Sequence, residues 1–217
     1  NANGTIRTTS GGRGDGPGEF QNLNLVAPYA GDSILAWDSR SRRVTILTPD
    51  GATARTWTLA REQPFVPEVV QGSGQAETTR PSDAVGVFGD GTLLVTAPAR
   101  VLFDPGVPFR REVTYLRVSG EGALITSLGS YIEDEAASIT YAQGTAAGAR
   151  VASPPRPVYP QPVLHAASGN RFSVAPGGAY QLAVHDQEGD TLHWIRATDV
   201  DLTMTEEAKG AYRQSRR

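Results

Sequence analysis

Apolar and polar residues alternate with a period of two at three places along the chain, each followed by a turn that carries glycine. Val44, Ile46 and Thr48 alternate with Thr45 and Leu47. Val113, Tyr115 and Arg117 alternate with Thr114, Leu116 and Val118, and Leu182 and Val184 alternate with Gln181, Ala183 and His185. Neighbouring side chains of a strand point to opposite faces, so such runs predict strands, and they are too short for helices. The turns behind them are Pro49-Asp50-Gly51, Ser119-Gly120-Glu121-Gly122 and Gln187-Glu188-Gly189. Glycine there supplies the positive φ that tight hairpins require.

Each run belongs to a longer unit that reads turn, apolar strand, loop, alternating strand, turn, alternating strand. The units are Gly31 to Leu59, Gly89 to Leu128 and Ser168 to Ile195. One further strand precedes each: Leu23 to Pro28, Asp83 to Phe88 and Pro162 to Ala166. Four strands make one propeller blade. The fold class expected is therefore all-β and propeller-like, a single domain over 1–217 with three four-stranded antiparallel blades at 20–59, 83–128 and 162–197. Ala60 to Pro81 and Gly129 to Pro160 read as long linkers, the second with an extended Ser153-Pro154-Pro155-Arg156-Pro157 run. Gly72-Ser73-Gly74 and Ser127-Leu128-Gly129-Ser130 read as turns, and Thr5 to Thr9 as an isolated strand. Thr203 followed by Glu206 is a capping box, and Ala208 and Tyr212 share a face, which predicts a short helix over 203–214.

Composition changes this picture little and excludes much. The 24 Gly and 15 Pro among 217 residues suit a turn-rich β protein. There is no apolar run long enough to span a bilayer as a helix. With no cysteine, disulfides, thiolate zinc sites and a cysteine nucleophile are out. A net charge of −3 argues against a nucleic-acid partner. The basic residues are arginines apart from Lys209 and are scattered, a bias that reads as nucleotide composition of the genome. The chain starts at Asn1 rather than Met, which suggests processing or a longer parent sequence.

The stretch Gly12-Arg13-Gly14-Asp15-Gly16-Pro17-Gly18-Glu19-Phe20 resembles the linker that introduces blades in NHL-type propellers, most closely those of bacterial six-bladed β-propeller proteins. Asp32 to Val44, the Thr48-Pro49-Asp50-Gly51 turn and the run from Trp194 through Thr205-Glu206-Glu207 to Tyr212-Arg213 fit the same family. The resemblance implies an exported protein, periplasmic or otherwise extracytoplasmic, and peripheral to a membrane. A six-bladed ring needs roughly 24 strands, about twice the number counted here. The expectation is therefore a partial propeller whose open edges are continued by further chain or covered by a partner, in preference to an open, degenerate propeller.

Candidate chemistry is sparse. Arg13-Gly14-Asp15 spells an adhesion tripeptide inside the glycine-rich linker, where a turn role is favoured, and no Lys-Ser/Thr follows to make a phosphate loop. Asp186, Glu188 and Asp190 alternate as calcium ligands do, but a polar hairpin turn is the better reading. His185 and His193 would lie near each other across a hairpin, with His165 as the third histidine; structural roles are expected for all three. The acidic run Glu133-Asp134-Glu135 reads as a solvated loop, and Trp37, Trp57 and Trp194 as packing between blades. No serine is singled out as a nucleophile. Catalytic residues, cofactors and metals are accordingly expected to be none. The function expected is a non-catalytic protein-binding subunit packed on a larger membrane complex, for example a photosynthetic reaction centre with its light-harvesting antenna. The alternatives are a metal-dependent, lactonase-like propeller hydrolase using acids such as Asp38 and Asp83, or a carbohydrate- or ligand-binding propeller with exposed aromatics.

Overall fold

A computed structural model describes residues 8–59, 81–98, 108–137, 163–176, 180–198 and 205–215, with 6 and 203. The strands fall into three groups of four. The first holds β1 (Leu23–Tyr29), β2 (Ser33–Asp38), β3 (Arg43–Leu47) and β4 (Thr53–Thr58). The second holds β5 (Asp83–Val87), β6 (Leu93–Pro98), β7 (Pro108–Val118) and β8 (Leu124–Ala137). The third holds β9 (Leu164–Ser168), β10 (Arg171–Ala175), β11 (Gln181–Asp186) and β12 (Thr191–Arg196), and α1 (Glu206–Ser215) follows. Each group is one antiparallel sheet in which chain neighbours pair in order. The first strands lie side by side, β5 between β1 and β9, and the Gly89 N–H donates to the Gly169 carbonyl at 2.6 Å. Three blades thus fan out from adjacent inner strands, a propeller-like arrangement.

Period-two alternation sends the two faces of the middle blade to different neighbours. Leu93, Val95, Ala97, Leu116 and Val118 face blade 1, where they bury Leu35, Trp37, Val44 and Ile46. Leu94, Val113 and Tyr115 face blade 3 and meet Phe88, Phe172 and Val174. Trp37, Tyr115 and Phe172 are almost wholly buried, and each such side chain contributes about 1.5–3 kcal/mol of burial. Phe88 and Phe172 meet edge to face at 6.4 Å.

Blades 1 and 2 are also joined by an arginine fork. Arg42 donates to the carbonyls of Leu59, Ser82 and Pro81 at 3.3, 2.9 and 2.8 Å. One side chain thereby pins the end of blade 1 to the start of blade 2. Planar guanidinium geometry suits this better than a lysine would.

Several expectations need correction. The second linker does not begin at Gly129. β8 runs on to Ala137 because β7 begins at Pro108, and the two pair along their length. Ser127 to Ser130 is therefore strand, with a register shift between Tyr115 and Leu116 and a φ of 112° at Gly129. Glu133, Asp134 and Glu135 lie on that strand, Asp134 opposite Arg111 and Glu135 opposite Arg110. The last inner strand is displaced from the predicted Pro162 to Ala166, and Val163 lies buried just before it. The helix starts at Glu206, and the Lys209 N–H donates to the Thr205 carbonyl at 3.0 Å, so Thr205 rather than Thr203 occupies the capping position. Thr8 and Thr9 are not in a strand. Gly72 to Gly74, the proline run at 153–157 and residues 60–80 and 138–160 lie outside the described residues.

Candidate functional site

Asp38 and Asp83 are the two acids a hydrolase would recruit, and both are engaged in holding the fold. Asp38 is fully buried at the end of β2. Its Oδ2 accepts from the Gln21 N–H at 2.6 Å, and its Oδ1 accepts from the N–H groups of Asn22, Arg40 and Ser41 at 3.2, 2.9 and 3.2 Å. Burial pushes its pKa up, but these donors outweigh that and lower it. Asp83 accepts from Trp37 Nε1 at 3.4 Å and from the Ser82 hydroxyl at 2.9 Å. The four N–H donors on Asp38 engage both of its oxygens, whereas Asp83 accepts one bond on each oxygen.

The histidines do not converge. A bulge between Val184 and His185 pairs His185 with Thr191 and Val184 with His193, so His185 and His193 point to opposite faces of blade 3. The expected proximity is thus undone by one irregular residue. His185 is buried, stacked on Phe172 at 4.7 Å, with its Nε2 hydrogen-bonded to the Tyr131 hydroxyl and its Nδ1 3.2 Å from Thr191 Oγ1. Burial lowers its pKa, opposed by the Gly189 backbone and the Asp186 carboxylate. His165 Nδ1 lies 3.1 Å from the Tyr115 hydroxyl, and desolvation lowers its pKa too. Among the described residues, no three His, Asp or Glu side chains are grouped to hold a metal.

The other motifs are structural. Asp186 Oδ1 accepts from the N–H groups of Glu188 and Asp190 at 3.1 and 2.9 Å, a polar hairpin turn as expected. Arg117 pairs with Asp90 of its own blade at 2.5 Å and reaches across to Glu188 of blade 3 at 3.3 Å. Trp37 and Trp57 pack between blades 1 and 2, whereas Trp194 is 47% exposed beneath Arg196. No helix among the described residues is long and apolar enough to cross a membrane.

What remains is surface, and the two outer faces of the fan differ. On blade 1 the outward side of β2 and β3 carries Ala36 and Thr45, both buried. The glycine-rich segment 11–20, including Arg13-Gly14-Asp15, lies over it. Arg43 donates to the carbonyls of Asp15 (2.8 Å) and Glu19, Gly16 N–H donates to the Glu19 carboxylate at 2.8 Å, and Gly18 lies against Thr53. On blade 3 the outward side carries Leu164 at 65% and Ile195 at 59% exposure, with Leu182 and Val184 between them half-buried. A groove of about 510 Å3 along the inner strands is lined by small and apolar residues such as Ala27, Tyr29, Gly86 and Ala167, with no acid or base. Sequence reasoning identified the strands of blade 3 but not this asymmetry, because it could not foresee the N-terminal segment folding onto blade 1. No family model matches the chain, and no curated protein matches it.

Proposed function

We infer that this chain is a non-catalytic protein-binding module, an accessory subunit of a larger assembly, with blade 3 as its protein-binding face. The carrying observation is the outward face of that blade, where Leu164 and Ile195 lie exposed at the two ends of one row, while on blade 1 the chain's own segment 11–20 covers the Ala36–Thr45 part of the matching face and leaves Val26 and Ile34 exposed at its edge. Contiguous apolar surface of this kind marks interaction sites in soluble proteins. The carboxylates that a lactonase-like reaction would need are the ones that accept backbone and indole N–H bonds. An extracytoplasmic, membrane-peripheral setting is part of the proposal and rests on the resemblance of the Gly12 to Phe20 segment to exported bacterial propellers. The test is purification of the tagged chain from its native source in mild detergent, beside Leu164→Asp. Subunits should accompany the unmodified chain in fixed ratio and be lost with the variant. Equal recovery with both, or metal-dependent lactone turnover abolished by Asp83→Asn, would sink the reading.

A further inference from the structure

Register places the outward residues of blade 3 in three rows across the sheet. Leu164 pairs with Ala175, the β10–β11 register continued by one step brings Ala175 beside Leu182, and Leu182 pairs with Ile195. The next row is Ala166, Ser173, Val184, His193, and the third is Ser168, Arg171, Asp186. Phe172, Val174 and His185, of opposite parity, are the residues buried against blade 2.

The rows are complementary to themselves when reversed. A twofold axis parallel to the strands, passing over the gap between β10 and β11, lays β10 on β11 of a second copy and β9 on β12, each row at its own level. Ala175 then meets Leu182, Ser173 meets Val184, and Ala166 meets His193, small against large at these three positions. Leu164 meets Ile195, joining the most exposed apolar side chains of the face. At the rim Arg171 meets Asp186, so opposite charges oppose each other twice. Sheets about 10 Å apart with aligned strands interdigitate in this manner, and a twofold contact of one patch with itself closes without leaving a surface open.

We propose that blade 3 is a homodimer interface: two copies of this chain pack face to face across a dyad parallel to β10 and β11. The proposal rests on the reading of blade 3 as a binding face and names its occupant as a second copy. The alternative second-copy contact, blade 3 on the outer face of blade 1, would require segment 11–20 to leave Arg43 and Thr53. A single four-stranded face is a small interface beside the roughly 800 Å2 per partner of a standard one, so dimerisation should depend on concentration.

Sedimentation equilibrium of the full chain tests this. A monomer–dimer equilibrium is expected, weakened at least tenfold by Ile195→Asp and by Arg171→Glu, which sets two acids against each other. Both positions are exposed, and unchanged circular dichroism and melting would show the variants folded. Val26→Asp on the outward side of blade 1 should leave the equilibrium unchanged. A monomer at every concentration, chains growing beyond dimers, or dissociation by Val26→Asp with Ile195→Asp inert would each overturn the proposal. A chain that stays monomeric yet loses its native partners on Leu164→Asp overturns the homodimer and leaves the binding-face reading standing. If partner recovery is unaffected as well, both fail.

Discussion

His185 shows how one side chain ties chemistry to the joint between blades. Its ring fills space against Phe172 while both nitrogens are engaged by hydroxyls, Tyr131 from blade 2 and Thr191 from its own sheet. Burial disfavours the imidazolium, so the native state holds this histidine neutral below the pH at which an unfolded chain would protonate it. The unfolded state binds the extra proton, and stability therefore falls as pH drops below about 6.5, by up to about 1.4 kcal/mol per pH unit for one such group. His165, shifted in the same direction beside Tyr115, adds to the trend. Urea midpoints should fall between neutral pH and pH about 5, less steeply in His185→Asn. A flat profile for the unmodified chain would show that the ring is not held neutral. Asp38 works the other way: its four N–H donors favour the carboxylate, so its contribution is present above the ordinary aspartate range and lost in stronger acid.

At the scale of elements, the joints between blades are set by close backbone approach as much as by large side chains. Gly86 on β5 faces β9 so closely that a Cβ there would lie 2.6 Å from the Ala167 Cβ. No other residue fits unless the inner strands separate. Gly86→Ala should cost about 1–3 kcal/mol as an overpacked site, and adding Ala167→Gly should recover most of it in chemical denaturation. Equal midpoints for unmodified chain and single variant would refute the close packing of β5 on β9. The Arg42 fork has the same role between blades 1 and 2, and accepts a positive φ of 54° to do it. Segment 11–20 lies over part of blade 1, held there by Arg43 through the backbone carbonyls of Asp15 and Glu19, while the Glu19 carboxylate closes the segment on its own Gly16 N–H.

For the molecule as a whole, the middle blade is the keystone, since both apolar clusters draw on β6 and β7. Leu93, Leu94, Val95 and Ala97 in β6 are all buried, whereas every residue from Thr191 to Arg196 in β12 is exposed. Local opening follows burial and contact density. Amide exchange should therefore be slowest in β6 and fastest, among strands, in β12. In the dimer, β12 covers β9 of its partner, so raising the chain concentration should slow exchange at Leu192 to Ile195 and leave β6 unchanged. Protection in β12 equal to that in β6 at high dilution would contradict this ordering.

Much of the fold was legible along the chain, because alternation and hairpin glycines are local signals. The runs at Val44, Val113 and Leu182 predicted strands, and the residues buried on the two faces of blade 2 follow from parity alone. Expectation failed where a distant partner decides. Glu133 to Glu135 read as a loop, yet they continue β8, because β7 begins as early as Pro108 and the two strands pair along their length. The two histidines of the last hairpin looked like neighbours until one bulge turned them apart. Sequence by itself determined strand order, turn positions and the absence of cysteine chemistry, since these depend on residues near one another or on composition. Only the tertiary structure decided that Gln21 and Asn22 bring backbone donors to Asp38, that segment 11–20 covers the Ala36–Thr45 part of blade 1, and that blade 3 presents its apolar rows outward. Those outcomes depend on contacts between residues far apart in the chain, and no local pattern encodes which face will be left bare.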